Sequence, residues 1–230
     1  MLQATTLLGD NTVPILRRLL DALRSRGVEV AFDNELPADE RESAARAGRM
    51  DLVFACGLLT VKMQQDGAPL QVVGAPLFPG ERKPVYRSVV VVREASAIRS
   101  IDQATTARLA VNEYGSWSGW RAWELHVAEH GHTAEEHPTH VLSGGHVHSM
   151  ALVRSGMADV AAIDSSIWNA ASDEDRAGLV VIDETRDWPA PPLSVVASMP
   201  DGLRAVVADE LDAAPDWLPS DGSAHKVMLD

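Results

Sequence analysis

The run Val85-Tyr86-Arg87-Ser88-Val89-Val90-Val91-Val92-Arg93 carries the strongest β signal in the chain. β-Branched side chains suit a pleated strand, and a run this continuous is expected to be buried on both faces. Just before it, residues 74–84 (GAPLFPGERKP) are dense in Pro and Gly and predict a loop. The strand therefore stands between two blocks of sequence, and each block has its own alternation of helix and strand.

In the first block, residues 14–26 (PILRRLLDALRSR) place Ile15, Leu16, Leu19, Leu20 and Leu23 at helical spacing. Asn11 or Thr12 can cap this helix, Pro14 suits its first turn, and Gly27 stops it. Residues 28–32 alternate like a short strand, 37–48 read as a polar helix, and 51–55 (DLVFA) as a buried strand ending at Cys56-Gly57. The second block predicts a helical turn over 101–106, strands over 108–112 and 158–163, and helices over 116–130 and 149–155. Further strands are expected over 179–182 and 193–198, and a last helix over 201–211. Such alternation is the signature of an α/β layer structure. We expect two lobes, residues 1–86 plus 186–230 in the first and 87–185 in the second, joined by two crossings near 84–93 and 183–198. One large domain is the alternative partition at this length.

The chain has 230 residues, of which 20 are Lys or Arg and 33 are Asp or Glu, giving a formal charge of −13. An apolar share of 46% is ample for a core and excludes disorder as a description of the whole. The acidic balance argues against nucleic acid or an anionic membrane as partner, since both demand a basic field. No apolar run approaches the length of a transmembrane helix, so no membrane insertion is expected. Cys56 is the sole cysteine and has no internal disulfide partner. The opening MLQATTLL has no basic start, so the chain as given is expected to be cytoplasmic, or periplasmic or lipid-anchored if a leader has been trimmed.

Three stretches carry candidate chemistry. In Asn112-Glu113-Tyr114-Gly115-Ser116-Trp117-Ser118-Gly119-Trp120, a strand ends, a glycine loosens the turn and a helix starts at Ser116. Ser116, Ser118 and the unpaired amides of that first turn can cradle an anion, helped by the helix dipole; a plain N-cap with a spare serine is the simpler reading. In Ser143-Gly144-Gly145-His146-Val147-His148-Ser149, paired glycines allow close approach of the backbone to a ligand, or merely a turn that caps a helix. In Ala161-Ala162-Ile163-Asp164-Ser165-Ser166, a buried strand delivers Asp164 and Ser165 to its carboxyl end, where open α/β sheets bind ligands; Asp164 could equally cap the next helix. His126 and His130 share one helical face at a spacing that can chelate zinc, though the tract from 126 to 148 also reads as an exposed histidine-rich loop. No Walker loop, dinucleotide fingerprint or nucleophile elbow is present, so no cofactor is expected.

Taken in order, Tyr86-Arg87-Ser88 before the valine strand, Asn112 leading to Ser116-Trp117-Ser118-Gly119, Ser143-Gly144-Gly145-His146 and Ala162-Ile163-Asp164-Ser165 resemble the phosphate/phosphite/phosphonate substrate-binding proteins of ABC importers. The resemblance runs from about Asp51 through Trp168. It implies a type II periplasmic-binding-protein fold, with two α/β lobes, two hinge crossings and a ligand cleft between the lobes. It also implies that the serine-rich helix start, carried here by Ser116, Ser118 and the amides around Trp117 and Gly119, holds an anionic head group. The hinge-side tyrosine corresponds to Tyr86, the Gly-His turn to His146 and the acidic residue after the strand to Asp164. Trp117 departs from the small polar residue expected there, and its ring would narrow the pocket or select another ligand.

The expected function is binding of a small phosphonate- or phosphate-like anion by the substrate-binding component of an uptake system, or by a cytosolic relative, with an ABC-transporter permease as possible partner. Ser116, Ser118 and His146 would hold the anion, Tyr86 and Ser88 would act from the hinge side, and Asp164 and Ser165 would meet the rest of the ligand. Cys56 and Gly57 would form the opposite wall. The alternative is a cytosolic enzyme on the same two-lobed fold, acting on a small anionic metabolite with His146, Asp164 or Cys56 as acid, base or nucleophile.

Overall fold

Val90 and Val92 face one side of their strand and Val89 and Val91 the other, and all four are buried. A computed structural model of the protein, which describes residues 1–9 and 12–229, shows what covers them. Val90 and Val92 pack with Ile101, Leu109, Trp123 and Val127. Val89 and Val91 pack with Met150, Val153 and Ile163. An alternating strand with an apolar layer on each side needs apolar residues at every position, which is what the sequence supplies.

The elements run β1 (Leu2–Thr6), α1 (Val13–Ser25), β2 (Val30–Phe32), α2 (Ala38–Arg46), β3 (Leu52–Phe54), α3 (Gly57–Gln65), β4 (Leu70–Pro76), β5 (Val85–Tyr86) and β6 (Ser88–Arg93). There follow α4 (Ile101–Ala104), β7 (Leu109–Val111), a π-helical turn (Trp117–Arg121), α5 (Ala122–Glu129), β8 (His140–Leu142), α6 (His146–Ser155), β9 (Val160–Asp164), α7 (Ser165–Ala170) and α8 (Asp173–Arg176). The chain closes with β10 (Leu179–Glu184), β11 (Trp188–Pro189), β12 (Leu193–Val196), α9 (Asp201–Ala213), β13 (Trp217–Pro219) and a 3₁₀ segment, Ser223–Leu229.

Two compact units emerge, one of Met1–Val85 with Pro189–Asp230, the other of Tyr86–Trp188. The first holds a six-stranded mixed sheet in the order β13-β4-β12-β3-β1-β2, with β1 parallel to β2 and β3, and β12 antiparallel to β3 and β4. Its core gathers Leu16, Leu19, Leu20 and Leu23 of α1 against Leu52, Phe54, Leu193, Leu211 and Trp217. The second unit holds a five-stranded mixed sheet, β10-β6-β9-β7-β8, in which β6 is antiparallel to both neighbours while β7 is parallel to β8 and β9. Among the described residues no helix is long and apolar enough to cross a membrane.

Several expectations change in detail. The valine strand is interrupted at Arg87, whose amide donates to Ser165 Oγ (3.2 Å) and whose carbonyl accepts from the Ser165 amide (2.9 Å). The loop expected over 74–84 begins later, because Gly74 to Pro76 belong to β4. Gly74 serves close approach, not a turn: a Cβ there would meet the Leu211 methyls at 3.0 and 3.1 Å. The helix expected over 149–155 starts three residues earlier, at His146. In α1, Thr12 is the N-cap residue but its hydroxyl donates to the Gly9 carbonyl (2.8 Å) and makes no side-chain cap bond. The alternative cap, Asn11, lies outside the described residues.

Candidate functional site

The second unit brings the parallel strands β7 and β9 side by side, so that Asn112 and Asp164 sit at neighbouring carboxyl ends. The helix that follows Asn112 does not start as an ordinary α-helix. The Arg121 amide donates to the Ser116 carbonyl (3.2 Å), five residues back, and the Ala122 amide to Trp117. Such a widened π turn recurs at functional sites. Ser116 is its N-cap, and its Oγ accepts from the Gly119 amide at 3.1 Å. The earliest amides of a helix have no intrahelical acceptor. Arg121 is the first amide with a helical acceptor, so with Gly119 taken by Ser116 the amides of Trp117, Ser118 and Trp120 precede it without one, those of Trp117 and Ser118 nearest the helix end.

Asn112 organises this start. Its Oδ1 accepts from the Glu113 amide (2.9 Å), which fixes the orientation of the amide group. Its Nδ2 then donates to Ser116 Oγ (2.9 Å) and lies 3.3 Å from His146 Nε2. His146 Nε2 also meets Ser118 Oγ at 3.0 Å. Since Asn112 offers only a donor there, Nε2 is the accepting nitrogen, Ser118 donates to it, and the ring proton sits on Nδ1. Burial lowers the His146 pKa below the ordinary 6.5 of an imidazole, opposed by the Asp164 charge and the Ala162 carbonyl, so the ring is neutral. Ser118 is held from behind as well, because its carbonyl accepts from the buried Ser88 hydroxyl at 2.8 Å.

The expected site residues thus divide. Ser116, Ser118, Gly119 and His146 are brought together around Asn112, and all are buried. Ser88 supports Ser118 through its backbone. Asp164 caps α7, its Oδ1 accepting from the Ser166 amide (2.8 Å) and hydroxyl (2.6 Å). Ser165 ties α7 to Arg87. Tyr86 is buried in β5. Trp117 is also buried and packs edge-on against Trp188, ring centroids 4.7 Å apart, while Arg186 stacks 4.2 Å above Trp188. Cys56 and Gly57 belong to the other unit, at the start of α3, where a Cβ on Gly57 would lie 2.6 Å from Met228 Sδ and 2.9 Å from the buried His225 ring.

Sequence reasoning missed the part played by the Asn112 side chain. Its signal was local: an Asn at a strand end, four residues before a capping serine and seven before a glycine. A Cβ at Gly119 would sit 1.7 Å from Asn112 Oδ1, so this glycine exists to admit that side chain. Ser118 and His146 are spaced like a nucleophile and its base. The carboxylate that would complete a triad, Asp164, bonds Ser166 instead, and the Nδ1–H of His146 is turned to the Ala162 carbonyl. The arrangement presents oriented hydroxyls and amides, which is the equipment for holding an anion.

A family model described as the periplasmic substrate-binding protein of the phosphonate ABC transporter matches residues 8–214. This is the family the motifs resembled, and the match extends well past the span that carried them. Among solved structures, PhnD1 from Prochlorococcus marinus in complex with methylphosphonate has a TM-score of 0.80 at 16% identity, covering 99% of this chain and 95% of that one. A binding-protein component of an ABC phosphonate transporter from Pseudomonas aeruginosa has a TM-score of 0.78 at 14% identity, with 99% and 84% covered. The aliphatic sulphonate binding protein SsuA from Escherichia coli is more distant, with a TM-score of 0.64, 16% identity and 91% and 72% covered. At these identities the likeness establishes the fold, type II periplasmic-binding-protein, with a mixed sheet in each lobe. A sequence search of curated proteins finds no match. The matched family is periplasmic by description, and nothing in the comparisons supports the cytoplasmic placement expected from the chain's opening residues.

Proposed function

The chain belongs to the family of periplasmic substrate-binding proteins of phosphonate ABC transporters, and from that premise we propose that it binds a small phosphonate through the start of the π-helical turn. The observation that carries the proposal is the buried Asn112–Ser116–Ser118–His146 network. It fixes two serine hydroxyls beside the amides of Trp117 and Ser118 at the positive end of a helix. A phosphonate head group offers several charged oxygens, which can accept from the Ser116 hydroxyl, whose lone pairs already serve Asn112 and Gly119, from the two amides, and from Ser118 once its proton turns from His146 Nε2 to the anion. In an acidic protein such a local device is required, because the overall field repels anions.

Each residue has a distinct part in this reading. Ser116 and Ser118 contact the anion, along with the two amides. Asn112 and His146 are positioning residues, since both spend their polar atoms on the serines. Ser88 holds the turn by its backbone. The permease of an ABC importer is the implied partner, and the periplasm the implied compartment.

Isothermal titration with methylphosphonate, phosphate and an alkylsulfonate tests the proposal. Hydrogen bonds to a charged group contribute about 1.5–3 kcal/mol each, so Ser118→Ala should weaken phosphonate binding by about tenfold or more. Binding that is unchanged in both Ser116→Ala and Ser118→Ala would overturn it.

A further inference from the structure

Away from the serine network, the last turn of α5 faces a kink in β10. His126 and His130 lie four apart at the end of that helix, and β10 carries a register shift between Val181 and Asp183 that turns Asp183 toward them. One nitrogen of each histidine and one carboxylate oxygen of Asp183 lie within 4.8 Å of one another, the group of this kind found among the described residues.

We propose that His126, His130 and Asp183 form a three-ligand site for a divalent transition metal of the zinc type. This is independent of the anion-binding reading. Three observations support it. First, His126 is 5% exposed and its Nε2 meets Asp183 Oδ2 at 3.4 Å. That spacing is long for a charge-assisted hydrogen bond, which runs about 2.7–2.9 Å. It equals the separation of about 3.4 Å between two ligands of a tetrahedral ion with bonds of about 2.05 Å. Second, His130 Nδ1 donates to the His126 carbonyl (2.9 Å), which places the lone pair on Nε2 and braces the ring as an outer carbonyl does for a metal-bound histidine. Third, Asp183 Oδ1 is fixed by the Glu184 amide (2.8 Å), leaving Oδ2 directed at His126.

The neighbouring His132 shows the contrast. Its ring is occupied on both edges, by Glu136 at 2.8 Å and Asp102 at 3.0 Å, so its partners lie on opposite sides and cannot converge on one ion. At the proposed site the ligands converge, and His130 is exposed, so water can fill a fourth position. Two neutral imidazoles with one carboxylate suit zinc, copper or nickel better than the all-oxygen preference of magnesium or calcium.

The test uses the tag-free, chelator-treated full chain titrated with Zn²⁺ against a chromophoric chelator. One equivalent is expected, with a rise in the thermal midpoint, since the ion would bridge α5 and β10. Loss of even an outer partner weakens metal sites by about 10–100-fold, so His130→Ala and Asp183→Asn should each weaken binding by at least about tenfold. His132→Gln should leave it unchanged. His130 is exposed, so the His130→Ala variant remains folded and informative. Absence of stoichiometric Zn²⁺ uptake overturns the proposal, and so does uptake that survives both substitutions, because the metal would then sit on other histidines.

Discussion

Gly119→Ala is the substitution whose effect the structure specifies most closely. A methyl at residue 119 would lie 1.7 Å from Asn112 Oδ1, 2.3 Å from its Cγ and 2.8 Å from its Nδ2. All three atoms belong to one side chain, so Asn112 must leave its position. It then gives up its bonds to the Glu113 amide and to Ser116 Oγ, and its contact with His146 Nε2. At about 0.5–1.5 kcal/mol apiece, the three interactions contribute about 2–4 kcal/mol. Alanine's better helix propensity returns about 1 kcal/mol, which leaves a net destabilisation of about 1–3 kcal/mol. Urea unfolding followed by tryptophan fluorescence reads this as a midpoint lower by about 1 M. Gly115→Ala, where no atom lies within 4 Å of the added carbon, is the control and should change little. The decisive step is a double-mutant cycle. If displacement of Asn112 is the cause, Gly119→Ala costs nothing on an Asn112→Ala background and returns up to about 1 kcal/mol of helix propensity; fully additive costs would refute the reasoning.

Other outcomes follow from the same geometry. Ser88→Ala removes the hydroxyl that donates to the Ser118 carbonyl, and losing that buried bond should cost about 0.5–1.5 kcal/mol in denaturant unfolding. Gly57→Ala should also destabilise, because the methyl would strike Met228 Sδ and the His225 ring; Met228→Ala should recover part of the loss, and no recovery would point away from this clash. Burial lowers the pKa values of His126, His137, His146 and His225 below 6.5 in the folded chain, against the opposing pull of Asp183 on His126 and of backbone carbonyls on His137 and His225. At these four positions the unfolded chain binds more protons, so the stability they contribute is fully present above pH 6.5 and is lost as the pH falls below it, by up to about 1.4 kcal/mol per pH unit per histidine, against an opposite contribution from His132, whose pKa Asp102 and Glu136 raise. Unfolding free energies measured between pH 5 and 8 should show this slope, flattened in His146→Gln; a flat profile in the parent chain would contradict the buried, neutral assignment.

How much of this was legible in the sequence depended on whether the signal was local. The valine strand, α1 and α9 announce themselves by periodicity, and the serine helix start by its capping residues. Other elements gave no such pattern. β1 is a five-residue LQATT with two buried threonines, whose burial comes from lying between β2 and β3. β4 ends in Gly-Ala-Pro, which reads as a turn until Leu211 and the Leu218 carbonyl are seen to crowd Gly74. β13 and the closing 3₁₀ segment draw their order from Phe54 against Trp217 and from α3, both distant in the chain. The site divides in the same way. Ser116 and Ser118 are visible as a helix start, but the seating of His146 behind Ser118, and not at open space, depends on residues 28 and 34 positions apart meeting. Asp164 reads in the sequence as a ligand contact or a cap, and its Oδ1 serves as a cap because Ser166 two residues on supplies both its amide and its hydroxyl.

The central claim is that an anion rests on the start of the π-helical turn, and a crystal structure of the chain with methylphosphonate tests it most directly. The account predicts phosphonate oxygens within about 3 Å of Ser118 Oγ and of the Trp117 and Ser118 amides, with the Ser118 proton turned to the anion and His146 Nε2 held by Asn112. A phosphonate bound elsewhere, with the Ser116–Ser118–His146 network intact and unoccupied, would contradict it.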